Sequence, residues 1–261
     1  MNPMQITEFL YNHYKKYPYI TTDTRKIEKN CIFFALKGER FDGNEFADEA
    51  IEKGAAYVVI DNPKYSKNKR YIAVNNSLST LQNLARYHRC FLKVPVIGIT
   101  GTNGKTTTKE LIAAVMKKKY KIHSTIGNLN NHIGVPLTLL SAPFDTEILI
   151  IEMGANHIGE IATLCTIANP NYGIITNIGK AHLEGFGSLK GVIKAKTELY
   201  KYLSKNNGCV FYNEDNNILN EIVKKLKVNK VSYGSSKNAS YPGRLISASP
   251  FLEFAIKLNV N

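Results

Sequence analysis

The feature that most constrains the fold is a glycine-rich turn between an apolar segment and a helical one. Residues 94–100 are rich in valine and isoleucine and are predicted to form a β-strand, and residues 105–118 are predicted to form a helix. A strand, a glycine-rich turn and a helix in this order form the setting of a phosphate-binding loop. The turn consists of Gly101, Thr102, Asn103, Gly104, Lys105, Thr106 and Thr107.

The residue types of this turn suit nucleotide binding. Glycines let the backbone curl so that its amide groups face an anion, and the helix N-terminus adds partial positive charge. Lys105 is predicted to hold the β- and γ-phosphates of ATP, and the Thr106 hydroxyl to coordinate Mg²⁺. The alternative is a glycine-rich turn that binds nothing. The turn is also compact, because Gly101 lies three residues before Gly104 rather than the more common five.

Alternating strands and helices predict an α/β fold with a parallel sheet covered by helices. Residues 148–151 are apolar at every position, which predicts a central strand buried on both faces. A smaller α/β unit precedes residue 94, so we expect one domain over residues 1–93 and another over 94–261. Ser77 is the expected N-cap of a helix at 78–91. The other predicted strands are 32–36, 56–60, 71–74, 121–125, 147–153, 172–178, 209–212 and 230–233, and the other helices are 45–53, 158–168, 189–203 and 216–226.

Composition narrows the cellular setting but not the ligand. No segment approaches the about 18 consecutive apolar residues that cross a bilayer, and the N-terminus does not resemble a secretory signal, so a soluble, cytoplasmic protein is expected. Four scattered cysteines favour reduced thiols over disulfides or a zinc site. The net charge of +13 attracts nucleic acid, nucleotides and sugar phosphates alike.

The compact turn resembles that of the Mur ligases and folylpolyglutamate synthetases, which use ATP to join an amino group to a carboxylate. Three later segments, residues 127–140, 151–161 and 177–188, resemble Mur ligase motifs in the same order. Within that family they favour the bacterial members that add D-alanyl-D-alanine. The resemblance implies a small N-terminal UDP-binding domain followed by a mainly parallel-sheet ATP-binding domain. Since the resembled ligases continue past the equivalent of Asn261, we expect their C-terminal domain to be absent here.

The resemblance also implies the catalytic residues Lys105, Glu152, His182 and Lys196. Glu152 follows a buried strand, where ligands bind in open α/β sheets, and would hold magnesium with Thr106. His182 would be a ligand of a second magnesium ion. Lys196, in preference to Lys194, would be the family's carbamylated lysine, because a neutral buried lysine can react with CO₂. A surface acid, a structural histidine and solvated lysines are the alternative interpretations.

Residues 22–27 and 31–44 resemble the UDP-binding domain of these ligases. The resemblance implies that Thr24, Arg25 and Asn44 contact the UDP-sugar, and it assigns Asn131 to substrate binding as well. Arginine suits this role because its planar fork of donors matches anionic oxygens. Thr24 stands where serine is common and Asn44 where histidine is common. The alternative is that Asp23 and Thr24 only form a turn.

The implied reaction joins D-alanyl-D-alanine to UDP-N-acetylmuramoyl-tripeptide through an acyl phosphate, with ATP and two Mg²⁺ ions. A monomer is expected, with no nucleic-acid partner and no membrane insertion. Three alternatives stay open. They are another Mur or folylpolyglutamate-type ligase, a phosphate-loop ATPase that acts on nucleic acid, and a fragment that binds nucleotide and UDP-sugar without turnover.

Overall fold

The computed structural model describes residues 1–179 and 183–257. The strands are β1 (Ile20–Thr21), β2 (Ile32–Phe34), β3 (Tyr57–Ile60), β4 (Tyr71–Ala73), β5 (Val96–Thr100), β6 (Ile122–Ser124), β7 (Ile148–Glu152), β8 (Tyr172–Ile175), β9 (Cys209–Asn213), β10 (Asn229–Gly234), β11 (Tyr241–Ser247) and β12 (Glu253–Ile256). The helices are α1 (Pro3–Tyr14), α2 (Ala47–Glu52), α3 (Ser77–Phe91), α4 (Lys105–Met116), α5 (Gly134–Leu140), α6 (Glu160–Ala168), α7 (Leu183–Phe186), α8 (Leu189–Lys196), α9 (Glu198–Lys205) and α10 (Asn217–Lys224).

The chain divides into two compact units. The first contains Met1–Lys93 and Ile126–Asp145, and the second contains Val94–Thr125 and Thr146–Asn261. The chain passes from one unit to the other between Lys93 and Val94, where the sequence analysis places the domain boundary. Ile126–Asp145, which that analysis groups with the second domain, belongs to the first unit by its contacts.

The first unit is built on a parallel four-stranded sheet in the order β1-β2-β3-β4. The residues of β2 are buried, and α3 turns an apolar face inward through Leu81, Leu84 and Ala85. The N-cap of α3 is Asn76 rather than the predicted Ser77, because the Asn76 side chain accepts a hydrogen bond from the Ser79 backbone N–H at 2.7 Å. Both residue types are good caps, so the sequence did not distinguish them.

Hydrogen bonds hold the returning segment 126–145 in the first unit. The buried Tyr14 hydroxyl of α1 donates to the Leu140 carbonyl of α5 at 2.7 Å. Gln82 Nε2 of α3 donates to the His132 carbonyl at 3.0 Å. Partners so distant in sequence leave no local pattern, and neither α1 nor α5 was predicted.

The second unit contains an eight-stranded sheet in the order β12-β11-β10-β9-β8-β5-β7-β6. All neighbouring strands are parallel except the antiparallel pair β11 and β12, which was not predicted. Every residue of β7 is buried, which confirms the predicted buried strand. The single helix predicted over 189–203 is instead two helices, α8 and α9, that meet at Thr197. In the described part of the chain, no helix is both long enough and apolar enough to span a membrane.

A buried histidine in the first unit should make stability depend on pH. His88 is fully buried among aromatic rings. Its Nδ1 lies 3.3 Å from the Tyr11 hydroxyl, and among the described residues its Nε2 has no hydrogen-bond partner. Burial lowers the pKa of His88 to about 4, below its usual 6.5.

We predict that the free energy of unfolding falls as the pH is lowered from 6.5 to 4. In that window the unfolded chain takes up a proton that folded His88 resists, and the loss is at most about 3 kcal/mol. Urea unfolding at a series of pH values measures this loss. The His88→Phe variant should lose less stability across the window than the wild type, whereas a variant at the exposed His132, His132→Gln, should match the wild type. Equal losses in all three proteins would refute the prediction.

Candidate active site

The glycine-rich turn connects β5 to α4 at the point where the sheet order reverses direction. The chain runs from β5 to β6 and β7 on one side of β5 and then to β8 on the other. Ligands of open α/β sheets bind outside the carboxyl ends of the strands at such a switch point. Gly104, with φ of 75°, is the N-cap of α4 and provides no side-chain cap. The first amide groups of α4 therefore have no intrahelical partner, which suits the binding of an anion.

Residues that follow β8 hold the turn in its curled form. The Asn177 carbonyl accepts from Thr102 N at 3.0 Å, and its side-chain Oδ1 accepts from Asn103 N at 3.1 Å. The Thr176 hydroxyl donates to the Asn103 carbonyl at 2.6 Å. The sequence pattern did not predict the roles of Thr176 and Asn177, although both follow β8 and Asn177 begins one of the segments that resemble family motifs.

Gly101 must be glycine for two reasons. Its φ of 147° lies in a region that side chains disfavour. A Cβ atom at this position would also lie 1.9 Å from the Thr176 hydroxyl oxygen. Thr176, just after β8, therefore leaves no room for a side chain at position 101.

Lys105 lies over its own loop. Its Nζ donates to the carbonyls of Gly101 at 3.0 Å and Thr102 at 3.2 Å. A flexible lysine is thereby fixed at the mouth of the loop. That Lys105 holds the β- and γ-phosphates of ATP stays a prediction.

Glu152 and Thr106, two of the residues assigned to magnesium, lie in contact. Glu152 ends β7 and is 2% exposed, and its Oε2 accepts a hydrogen bond from the Thr106 hydroxyl at 2.8 Å. A carboxylate and a hydroxyl are the hard oxygen donors that Mg²⁺ prefers, and Mg²⁺ at nucleotide sites takes its other ligands from phosphate and water. The pair fits that ion. No cluster of three or more His, Cys, Asp or Glu side chains able to hold a metal occurs within the described ranges. His182 lies outside the described residues.

Lys196 is buried beside the site, whereas Lys194 is exposed. Lys196 is 2% exposed, and its Nζ lies 3.5 Å from the Ala155 carbonyl oxygen and 5.4 Å from the Phe186 ring centroid. Burial, together with the positive charge of Lys105, lowers the pKa of Lys196 to about 8. About a tenth of its amine is therefore neutral at pH 7, far more than for an ordinary lysine.

The loop that supplies the Ala155 carbonyl is ordered by two carboxylates. Glu198, two residues after Lys196, accepts from Gly159 N at 2.7 Å and from Ala162 N at 2.9 Å and so caps α6. Glu160 accepts from Asn156 N at 2.7 Å. Both roles were missed by the sequence analysis, because the bonded partners lie on other segments or in an irregular loop.

In the first unit, Asp23 and Thr24 lie in a turn, and the assignment of Thr24 and Arg25 to UDP-sugar contacts stays a prediction. Asp23 caps a short 3-10 helix at Thr24–Lys26, and the Thr24 carbonyl accepts from Lys53 Nζ at 3.2 Å. The Arg25 guanidinium donates to both carboxylate oxygens of Asp23, at 2.9 and 2.8 Å. These hydrogen bonds lower the pKa of Asp23 to about 2. Arg25 itself is largely exposed, with 85% of its side chain accessible.

Asn44 is fully buried, and its amide is saturated. Its Nδ2 donates to Asp42 Oδ1 at 2.6 Å and to Asp61 Oδ1 at 2.9 Å, and its Oδ1 accepts from Asp61 N at 3.1 Å and Asn62 N at 3.4 Å. Asn44 thus joins two loops of the first unit. Asn131 is exposed, and its Oδ1 accepts from the backbone N–H groups of Ile133 and Gly134 at 3.0 and 2.9 Å, where α5 begins.

Comparison with known proteins decides the family. Residues 99–255 match the model of the Mur ligase middle domain. Residues 16–97 match the model of the Mur ligase family catalytic domain. The chain belongs to the Mur ligase family. The first of these models covers the loop, Glu152 and Lys196.

Similar Mur ligases come from several bacteria. The UDP-N-acetylmuramoyl-tripeptide–D-alanyl-D-alanine ligase of Bacillus subtilis strain 168 is 46% identical over 77% of this chain and 44% of its own length. That of Escherichia coli strain K12 is 43% identical over 76% of this chain and 43% of its own length. The crystal structure of MurF ligase from Thermotoga maritima in complex with ADP has a TM-score of 0.79 and 34% identity, over 87% of this chain and 52% of that one. The chain spans about half the length of the relatives that it matches.

We predict that Gly101→Ala weakens nucleotide binding at least about 10-fold, because the new methyl group would displace Thr176 and open the loop. Titration with a fluorescent ADP analogue measures the affinity. The matched control is Gly127→Ala, since Gly127 also has positive φ, 57°, but has no atom within 4 Å of the position of an added Cβ. Wild-type affinity in Gly101→Ala would show that the loop does not bind the nucleotide.

Proposed function

We propose that this chain acts in ATP-dependent amide-bond formation, in the addition of D-alanyl-D-alanine to UDP-N-acetylmuramoyl-tripeptide during peptidoglycan precursor synthesis in the bacterial cytoplasm. The observation that carries the proposal is the Thr106–Glu152 pair next to a preformed phosphate loop and a buried lysine. The names of the relatives support this choice of substrates over those of other Mur ligases.

On this proposal the loop and Lys105 bind the phosphates of ATP. Backbone amides at the start of α4 would face the phosphate oxygens, and Lys105 would move from the loop carbonyls to the β- and γ-phosphates. Thr106 and Glu152 would hold Mg²⁺, which when bound neutralises charge on the phosphates. A second Mg²⁺ with His182 as ligand stays part of the proposal on the family resemblance alone.

The reaction proceeds in two steps. The carboxylate of the acceptor peptide attacks the γ-phosphorus, which releases ADP and gives an acyl phosphate, and the amine of D-alanyl-D-alanine then displaces inorganic phosphate. Both steps develop negative charge on phosphate oxygens. The fixed amides of the loop would face that charge before the reaction begins and need little reorganisation, and Lys105 would add its positive charge after it leaves the loop carbonyls.

Lys196 would be carbamylated. Its neutral amine nitrogen forms a bond to the carbon of CO₂, one C–O π electron pair moves to oxygen, and one proton leaves to solvent. The product is an anionic carbamate in place of a cationic lysine. Burial and the charge of Lys105 both favour the neutral amine that this step needs.

The first unit would bind the UDP-sugar through Thr24, Arg25 and Asn131. Arg25 would exchange the Asp23 carboxylate for a phosphate oxygen of the ligand. Asn44 would act by holding the two loops that it joins, since its own hydrogen-bonding groups are occupied. The proposal also includes a monomer that does not bind nucleic acid.

The reaction can be tested directly. The chain is incubated with ATP, Mg²⁺, UDP-N-acetylmuramoyl-tripeptide and D-alanyl-D-alanine, and phosphate release and the pentapeptide product are measured. Product formation supports the full reaction, whereas nucleotide and UDP-sugar binding without product refutes turnover by this chain. We predict that Lys105→Ala lowers ATP affinity at least about 10-fold, as expected for the loss of a charge-assisted contact to phosphate. Unchanged affinity would refute the site assignment.

Carbamylation has a spectroscopic test. With ¹³C-labelled CO₂ held at a fixed dissolved concentration, we predict a carbamate ¹³C NMR signal that rises from pH 7 to pH 9, because the neutral fraction of an amine with a pKa of about 8 increases over that range. Lys196→Ala should lose the signal, and Lys194→Ala should keep it. A signal that survives in Lys196→Ala would assign the modification elsewhere.

A further inference from the structure

Lys109, the second lysine of α4, is buried, although the proposed reaction does not use it. Only 2% of the Lys109 side chain is accessible. Its Nζ donates to the Thr125 carbonyl at 2.5 Å and lies 2.8 Å from the Glu110 carboxylate. Because the Glu110 side chain is 63% accessible, water screens this ion pair. The ammonium is therefore removed from water with one neutral acceptor and one solvated carboxylate as its partners.

Stability does not explain a lysine at this position. Taking an ammonium group out of water is costly, and an apolar side chain of similar length would fill the same space without that cost. A buried charged group that is retained despite this cost commonly positions another residue or takes part in chemistry.

The contacts of Lys109 form a closed ring with the predicted magnesium ligands. Lys109 and Thr106 lie three residues apart on one helix and therefore on neighbouring parts of its surface. Thr106 Oγ1 donates to Glu152 Oε2 at 2.8 Å, Glu152 N donates to Thr125 Oγ1 at 2.9 Å, and the Thr125 carbonyl accepts from Lys109. The helix closes the ring. Thr125 is itself buried and directly follows β6, next to the end of β7.

We propose that Lys109 is a positioning residue that fixes Thr125 and, through it, the Glu152 carboxylate at the place where it would hold Mg²⁺ with Thr106. This inference rests on the proposed function of the site. Without the Lys109 contact, α4 keeps only its Thr106 contact to this ring, and Thr125 loses the contact that ties it to the helix. Misplacement of a functional group by about 1 Å can cost about 100-fold in activity.

The test separates metal-dependent binding from folding. ADP affinity is measured with and without Mg²⁺ for the wild type and for Lys109→Met. We expect the gain in ADP affinity on adding Mg²⁺ to be about 10-fold smaller in Lys109→Met, while Mg²⁺-free affinity stays within about 3-fold of wild type. The urea midpoint of unfolding should stay close to that of the wild type, because removal of the buried charge offsets the loss of the donor to the Thr125 carbonyl. A merely structural lysine would lower the midpoint and both affinities together.

Matched variants serve as controls for this test. Lys118→Met makes the same substitution at an exposed lysine just beyond α4 and should leave the Mg²⁺-dependent gain unchanged. Thr125→Val removes the acceptor of the Glu152 N–H and should reproduce the defect, whereas Thr125→Ser retains a hydroxyl and should restore the gain. In the double variant Lys109→Met/Thr125→Val, the Mg²⁺-dependent gain in ADP affinity should be at most about 3-fold smaller than in the more strongly affected single variant. The reason is that both substitutions act through one ring.

Two outcomes would overturn the inference, and only the second would also overturn the proposed metal site. Equal Mg²⁺-dependent gains in the wild type and Lys109→Met, or in Thr125→Val and Thr125→Ser, would overturn the role of Lys109 alone. A wild-type chain that binds ADP with no response to Mg²⁺ would overturn the proposed metal site and this inference with it.

Discussion

The hydrogen bond between Thr106 and Glu152 joins the first turn of α4 to the end of β7, and the arrangement of the site depends on it. Parallel strands bring their carboxyl ends to one edge, so the turn after β5, Thr125 after β6 and Glu152 at the end of β7 meet there. Each supplies a different chemical group to the same small volume. A sheet with antiparallel neighbours at these positions would send the groups to opposite edges.

The charge of Lys105 links the Thr106–Glu152 pair electrostatically to Lys196. The charge of Lys105 helps to lower the pKa of Lys196, and the same charge would attract the carbamate once it formed. Glu160 and Glu198 act in the opposite direction on that pKa, but both carboxylates accept hydrogen bonds from backbone amides of the neighbouring loop. One cation therefore favours both the neutral amine and the anionic product, while the nearby acids mainly order the backbone. Burial and the charge of Lys105 together keep the pKa of Lys196 below its usual value, although two carboxylates lie nearby.

The sequence was sufficient for the elements whose cause is local. The loop, the apolar β7 and the strand-end position of Glu152 follow from residue types over a few positions. The return of Ile126–Asp145 to the first unit did not, because it depends on contacts such as Tyr14 with Leu140. Lys109 was hidden for a related reason, since a lysine in a helix is ordinarily solvated and only the Thr125 carbonyl shows that this one is not. Local propensity predicts the secondary structure of a segment, but it carries no information about the contacts that the segment makes with distant parts of the chain.

Arg25 and Asn44, two of the polar residues expected to contact the UDP-sugar, differ in how readily they could do so. Arg25 is paired with Asp23 on the surface, where water screens the interaction, so exchanging that carboxylate for a phosphate costs little and replaces one charged acceptor with another. Asn44 is different, because freeing its buried amide would take the acceptor from the backbone N–H groups of Asp61 and Asn62 and remove one hydrogen bond from each of the Asp42 and Asp61 carboxylates. Each unsatisfied buried group costs about 1–3 kcal/mol, which a new hydrogen bond to uracil would not offset. A ligand in the first unit would therefore engage Arg25 directly and depend on Asn44 only for the shape of the loops around it.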